Sequence, residues 1–216
     1  MVKVKICGIT EVQGLNASVE AGASYIGFVF YSKSSRNVSM SKAAALAKLT
    51  PKTVCKVGLL VDPENSFLYK LMVDVPLDMI QLHGQETPER LLEIRQLTRL
   101  PIMKAVGLKC RKDLEILKDY KDVCDQFLID SKPAFRSQTP GGNGTAFDWN
   151  ILEKFSWSKP WMLAGGLTPI NVNSAVRLTG ALQVDVSSGV ENAQGIKSRD
   201  KILSFIRAVR GEENAQ

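Results

Sequence analysis

The chain has 216 residues, 44% hydrophobic and 23% charged, with 9 prolines, a globular composition that excludes disordered, collagenous and low-complexity classes. Its length lies between that of one large α/β domain and two small ones. The 28 basic and 22 acidic residues give a net charge of +6, but the basic residues are scattered, without the dense runs and interleaved aromatics of a nucleic-acid surface. The charge therefore points to small anionic ligands and not to nucleic acid.

Four cysteines, Cys7, Cys55, Cys110 and Cys124, and a single histidine, His83, show neither a C-x-x-C pair nor zinc-ligand spacing. This argues against a disulfide framework or a structural zinc. No segment reaches the ~18 apolar residues of a membrane span, and the N-terminus lacks the apolar core of a signal peptide. A cytoplasmic chain with no membrane partner is expected.

In chain order, β-branched runs fall at 2–6, 24–30, 53–61, 78–82, 101–106, 126–130, 160–164 and 183–187. Helical stretches separate them. Thr87-Pro88 opens one, with proline at the first helical position. In 198–209, Ile202, Phe205, Ile206 and Val209 follow the i, i+3, i+4, i+7 pattern behind a serine cap. Eight strand–helix units fill the chain almost completely, which predicts a single (β/α)8 TIM barrel occupying residues 1–216. An open doubly wound sheet is the architectural alternative.

The strand faces predict where the chemistry lies. In strand one, Val2, Val4 and Ile6 oppose Lys3, Lys5 and Cys7; in strand four, Ile80 and Leu82 oppose Gln81 and His83. Strand six sets Phe127 and Ile129 against Gln126, Leu128 and Asp130, and strand eight sets Val184 and Val186 against Gln183, Asp185 and Ser187. In a barrel the apolar set faces the helices and the other set faces the lumen. Cys7, His83, Asp130 and Ser187 then converge at the carboxyl-end rim. A half-solvated antiparallel sheet would alternate likewise, but it needs hairpin turns where this chain has helix-length connections.

Glycine-containing segments follow strands six, seven and eight: Gly141-Gly142-Asn143-Gly144, Gly165-Gly166-Leu167 and Ser187-Ser188-Gly189. They lack the spacing of a P-loop or dinucleotide fingerprint, yet they occupy the quadrant where such barrels bind phosphate. Lys5 lies below Cys7 on the same face, where a cation favours a thiolate able to act as base or nucleophile. Asp130 faces the same opening across strands eight and seven, which suits paired proton transfer. Asp130 or Asp185 is also a candidate ion-pair partner for Lys5. Arg36, in the loop after strand two, is placed to grip a carboxylate bidentately, and His83 to donate to a substrate or relay a proton. The other three cysteines read as structural thiols. The outer faces carry no heptad pattern, leaving a monomer or a homodimer.

Taken in order, the segments Lys5-Ile6-Cys7-Gly8-Ile9-Thr10, Gly27-Phe28-Val29-Phe30 with Ser35-Arg36, Gln81-Leu82-His83-Gly84, Leu128-Ile129-Asp130, Gly141 to Gly144 with Phe147-Asp148-Trp149, Leu163 to Leu167, and Val184 to Glu191 resemble phosphoribosylanthranilate isomerases. The resemblance spans nearly the whole chain. It implies a (β/α)8 barrel without cofactor or metal that carries out an Amadori rearrangement in tryptophan biosynthesis. It further implies Asp130 as general acid, Cys7 as base, Arg36 on the anthranilate carboxylate and the glycine loops on the 5′-phosphate. Asn143 departs from the family pattern, which places a hydroxyl residue there, and puts that phosphate contact in doubt.

Other sugar-phosphate barrel enzymes and a noncatalytic phosphate-binding barrel are the alternatives. The histidine-pathway isomerases generally place an aspartate where Cys7 stands. The polar stretch from Ser131 to Thr139 has no apolar period, and a mobile loop that orders over the phosphate is expected there.

Overall fold

The computed structural model describes residues 1–132 and 147–211. In chain order the elements are β1 (Lys3–Cys7), α1 (Val12–Ala21), β2 (Tyr25–Phe30), α2 (Met40–Leu49), β3 (Cys55–Leu60), α3 (Asn65–Asp74), β4 (Met79–Leu82), α4 (Pro88–Thr98) and β5 (Ile102–Leu108). A 3-10 turn (Arg111–Ile116) then runs into α5 (Leu117–Tyr120), followed by β6 (Gln126–Ser131), a 3-10 turn (Trp149–Leu152), β7 (Trp161–Leu163), α6 (Val172–Thr179) and β8 (Gln183–Val186). A 3-10 turn (Ser188–Val190), the hairpin β9 (Glu191–Ala193) and β10 (Ile196–Lys197), and α7 (Arg199–Arg210) complete them.

Strands β1 to β8 close into a parallel ring in sequence order, with β1 joined to β8 through pairs such as Lys5 with Asp185. This is a (β/α)8 TIM barrel. Closure overturns the open-sheet alternative, and the parallel ladders overturn the antiparallel one. The eight expected strands all appear, with boundaries within two residues.

Alternation along the strands builds two cores. Outward residues such as Ile6, Ile26, Ile80, Ile129 and Val184, all fully buried, pack under the helices. Inward residues Tyr25, Val57, Met103, Leu128 and Met162 fill the lumen. At the amino end the lumen is closed by a polar layer, in which the Tyr25 hydroxyl and the Gln126 amide both donate to Gln183 Oε1, at 3.0 and 3.1 Å.

The helix starts follow their caps. Thr87 accepts from the Arg90 N–H and Ser198 from the Lys201 N–H. On α7 the four expected apolar residues are all buried, each contributing about 1.5–3 kcal/mol. Among the described residues no helix is long and apolar enough to cross a membrane.

One expectation needs correction, and one element is new. Ser131 ends β6, and the Lys132 N–H donates to the Leu108 carbonyl at 3.0 Å, so the start of the expected mobile loop is tied to the sheet. Residues 133–139 lie outside the described residues, as do Gly142, Asn143 and Gly144. The β9–β10 hairpin was not expected: two- and three-residue strands are too short to show periodicity.

Candidate active site

Cys7 ends β1 with its side chain turned into the lumen, 4% exposed, against Val29 and Leu59. Beneath it Lys5 is fully buried and donates to Asp185 Oδ1 at 2.9 Å. Asp185 and not Asp130 is thus the partner of Lys5. Lys5 is out of reach of solvent and Asp185 is nearly so, and each charge is tolerated there because it has the other.

Burial alone would lower the Lys5 ammonium, but Asp185 and the neighbouring Cys7 outweigh it and hold it raised. For Cys7 the balance runs the other way. Burial pushes the thiol up; Lys5 opposes this, Asp185 adds to it, and Lys197 opposes it. Lys5 therefore acts in the expected direction but does not offset desolvation.

Asp130 ends the inward face of β6, across β8 and β7 from Cys7. Its Oδ1 accepts from the Ser131 N–H at 2.7 Å, and its Oδ2 stands 3.5 Å from His83 Nε2. Gly165, φ +83°, faces this carboxylate. A Cβ there would lie 2.7 Å from the Ser131 nitrogen and 3.2 Å from Asp130 Oδ1, so only glycine lets the two loops meet.

His83 continues the inward face of β4. Gln81, two residues earlier on that face, places its amide nitrogen 3.1 Å from His83 Nδ1, while its own Oε1 is buried without a hydrogen-bond partner. The turn after His83 is braced from outside the barrel. Glu86 accepts from the Gly84 and Asp62 N–H groups and pairs with the buried Lys104 at 2.7 Å.

Asp130, Gly165, Gly166, Asp185, Ser187 and Ser188 line one narrow cavity at the carboxyl-end rim. Six of the predicted site residues thus share a single recess. Gly189 sits beside it in the 3-10 turn Ser188–Val190, packed on the Leu167 carbonyl. Ser187 Oγ donates to the Cys7 carbonyl at 3.0 Å and joins the recess to the end of β1.

Arg36 crosses over Gly8 next to Cys7. Gly8 has φ +77°, and a Cβ there would come within 2.6 Å of Arg36 Cδ. The guanidinium is nearly buried and donates through Nε and Nη2 to both oxygens of Glu191, each at 2.8 Å. That pairing was not expected. Nor was Lys197, which lies against the same carboxylate at 2.7 Å. Neither charge lies in a strand-end pattern of the barrel, so periodicity could not single them out. All four cysteines are free, with Cys124 buried and Cys110 exposed.

A family model for N-(5′-phosphoribosyl)anthranilate (PRA) isomerase matches residues 4–208. The N-(5′-phosphoribosyl)anthranilate isomerase of Paracoccus denitrificans is 56% identical over 205 residues, 95% of each chain. The phosphoribosylanthranilate isomerase crystal structure from Thermotoga maritima superposes with a TM-score of 0.88 at 37% identity, covering 98% of this chain and all of that one. An isomerase in complex with reduced 1-(o-carboxyphenylamino)-1-deoxyribulose 5-phosphate superposes with a TM-score of 0.83 at 36% identity, over 98% of this chain and all of that one. Likeness along the full length, with a strand-end thiol and a strand-end carboxyl at the same rim of the barrel, places this chain in the N-(5′-phosphoribosyl)anthranilate isomerase family.

Proposed function

We propose that this chain converts N-(5-phosphoribosyl)anthranilate to 1-(o-carboxyphenylamino)-1-deoxyribulose 5-phosphate with Asp130 as general acid and Cys7 as general base. Asp130 gives its proton to the ribose ring oxygen as the bond from that oxygen to C1′ breaks. The anilino nitrogen lone pair forms the C1′=N bond, opening the sugar to a Schiff base. The Cys7 thiolate then removes the C2′ proton, the electron pair forms C1′=C2′, and the C1′=N π electrons return to nitrogen. The resulting enolamine loses its C2′ hydroxyl proton and gains one at C1′ to become the ketone.

What supports this reading is a strand-end carboxyl lining the recess and a strand-end thiol at the same rim, with β7 and β8 between them. Two groups on separate strands can serve two successive proton transfers, one as acid and one as base. Gly165, Gly166, Ser187, Ser188 and Gly189 surround the phosphate, where glycine and serine let an anion approach the backbone. Gly142, Asn143 and Gly144, assigned to the same anion from the sequence, lie outside the described residues. Arg36 faces the anthranilate carboxylate, His83 steadies Asp130, and Asp185 acts through Lys5. The whole chain works as one domain, as a monomer or homodimer, in the cytoplasm.

Turnover of phosphoribosylanthranilate by the purified chain, followed by fluorescence, tests the assignment. Cys7→Ser and Asp130→Asn should each lower kcat by roughly 10²–10⁴-fold, the usual range for a positioned acid or base. A Cys7→Ser enzyme within a few-fold of wild type would remove the thiol from the mechanism.

A further inference from the structure

The hairpin after β8 brings two charges to Arg36 that the barrel itself does not supply. Glu191 opens β9, and Lys197 closes β10 with its side chain only 1% exposed. We propose that Glu191 and Lys197 form a clamp in which Glu191 orients the Arg36 guanidinium and Lys197 restores the positive charge that lets Arg36 attract the substrate carboxylate. The inference rests on the assignment of Arg36 to that carboxylate and adds two positioning residues to it.

The charge arithmetic is simple. Arg36 and Glu191 alone form a neutral bidentate pair. An incoming carboxylate would meet hydrogen-bond donors but also the Glu191 charge directly behind them. Lys197 Nζ sits 2.7 Å from Glu191 Oε1, and the three groups together carry +1. The bidentate contact uses Nε and one Nη2 donor, so of the five guanidinium N–H groups three remain, two on Nη1 and one on Nη2.

Contacts other than those of Lys197 also hold the hairpin in place. Lys201 Nζ donates to the Glu191 carbonyl at 2.7 Å, the Ser198 N–H donates to the Val190 carbonyl at 2.8 Å, and the Thr10 hydroxyl holds the Gly195 carbonyl at 2.9 Å. Burying an ammonium is costly, and within the hairpin these contacts already supply the support. Burial pulls the Lys197 ammonium down, and Glu191 is the main force opposing it. The same ammonium donates to Ser187 O and Oγ at 3.1 and 3.2 Å, and Ser187 Oγ in turn holds the Cys7 carbonyl. The clamp thereby sets Arg36 and the end of β1 in one frame.

Steady-state kinetics with phosphoribosylanthranilate would be compared for Arg36→Met, Lys197→Met, Lys197→Gln, Glu191→Gln and the double variant Glu191→Gln/Lys197→Met, with near-ultraviolet circular dichroism as the check of fold. Lys197→Met should raise KM about tenfold, the scale of one hydrogen bond to a charged group, with a much smaller change in kcat. Lys197→Gln, which can still bond to Ser187, should do the same. The double variant leaves Arg36 as an unbalanced cation, so its KM should return to within about threefold of wild type.

A purely structural role predicts the opposite, since two lesions in one cluster are worse than one. A double variant as impaired as Lys197→Met would overturn the clamp. So would a folded Lys197→Gln enzyme with unchanged KM. If Arg36→Met raises KM while the Lys197 variants do not, the clamp alone fails. If Arg36→Met leaves KM unchanged, the assignment of Arg36 fails and the clamp fails with it.

Discussion

The surroundings of Cys7 and of Asp130, two strand ends at one rim, differ in how much charge they gather. Around Cys7 the barrel collects Lys5, Asp185, Lys197, Glu191 and Arg36, five charged groups within a buried and mutually paired set. Around Asp130 it places His83, the Gln81 amide and a backbone N–H. In the proposed mechanism Cys7 as base must gain a negative charge where it is buried, which is costly without cations at hand. Asp130 as the proposed acid hands a proton to a substrate and needs neighbours that hold its orientation. Charge density thus follows the direction in which each group's charge must change.

The largest break in that contrast comes from removing a charge on the base side. Lys5→Met leaves Asp185 buried without its partner and should cost about 3–5 kcal/mol of stability, read as a drop in the urea midpoint, along with a fall in kcat/KM. Adding Asp185→Asn to Lys5→Met should recover much of the stability but not the rate. If Lys5→Met alone melts like wild type, the pair is not the support of the base side that its burial implies.

A pH profile sharpens the contrast with no mutation. Burial holds the Cys7 thiol above its ordinary value, so the reactive thiolate grows by about tenfold per pH unit below that point. The base-dependent limb of kcat/KM should therefore still be rising between pH 7 and 9, and Lys5→Met should move it to higher pH. A profile already flat across that range would mean that the thiolate is formed at neutrality or that the base is another group.

On the acid side the effects should be smaller. His83→Gln removes a group 3.5 Å from Asp130 and should lower kcat about threefold to tenfold, the scale of one neutral hydrogen bond. A loss as large as that of Asp130→Asn would make His83 a participant in proton transfer instead of a support.

The contrast also marks what a sequence can disclose. Cys7, His83, Asp130 and Ser187 are legible because each follows an alternating strand, so period two alone assigns its face and its end of the barrel. The Lys5–Asp185 pair was half legible: parity puts both residues in the lumen, but only the β1–β8 register decides between Asp185 and Asp130. Arg36, Glu191 and Lys197 sit in a loop and a short hairpin, 155 residues apart in the Arg36–Glu191 contact. No local pattern encodes that meeting. The orphaned Gln81 oxygen is likewise a fact of three-dimensional packing, although parity had already turned Gln81 inward.

The seam between β1 and β8 has a bearing on how the chain assembles. Lys5–Asp185 and Ser187–Cys7 both cross it, each joining residues 180 apart, so the first and last strands must meet before either contact exists. A collapsed intermediate lacking β8 would have to bury the Lys5 ammonium without a counter-charge, at several kcal/mol, and it stays open to water instead. Contacts of such sequence separation form late. Closing the ring and pairing Lys5 are therefore linked, and a barrel without β8 lacks the counter-charge that lets Lys5 be buried beneath Cys7.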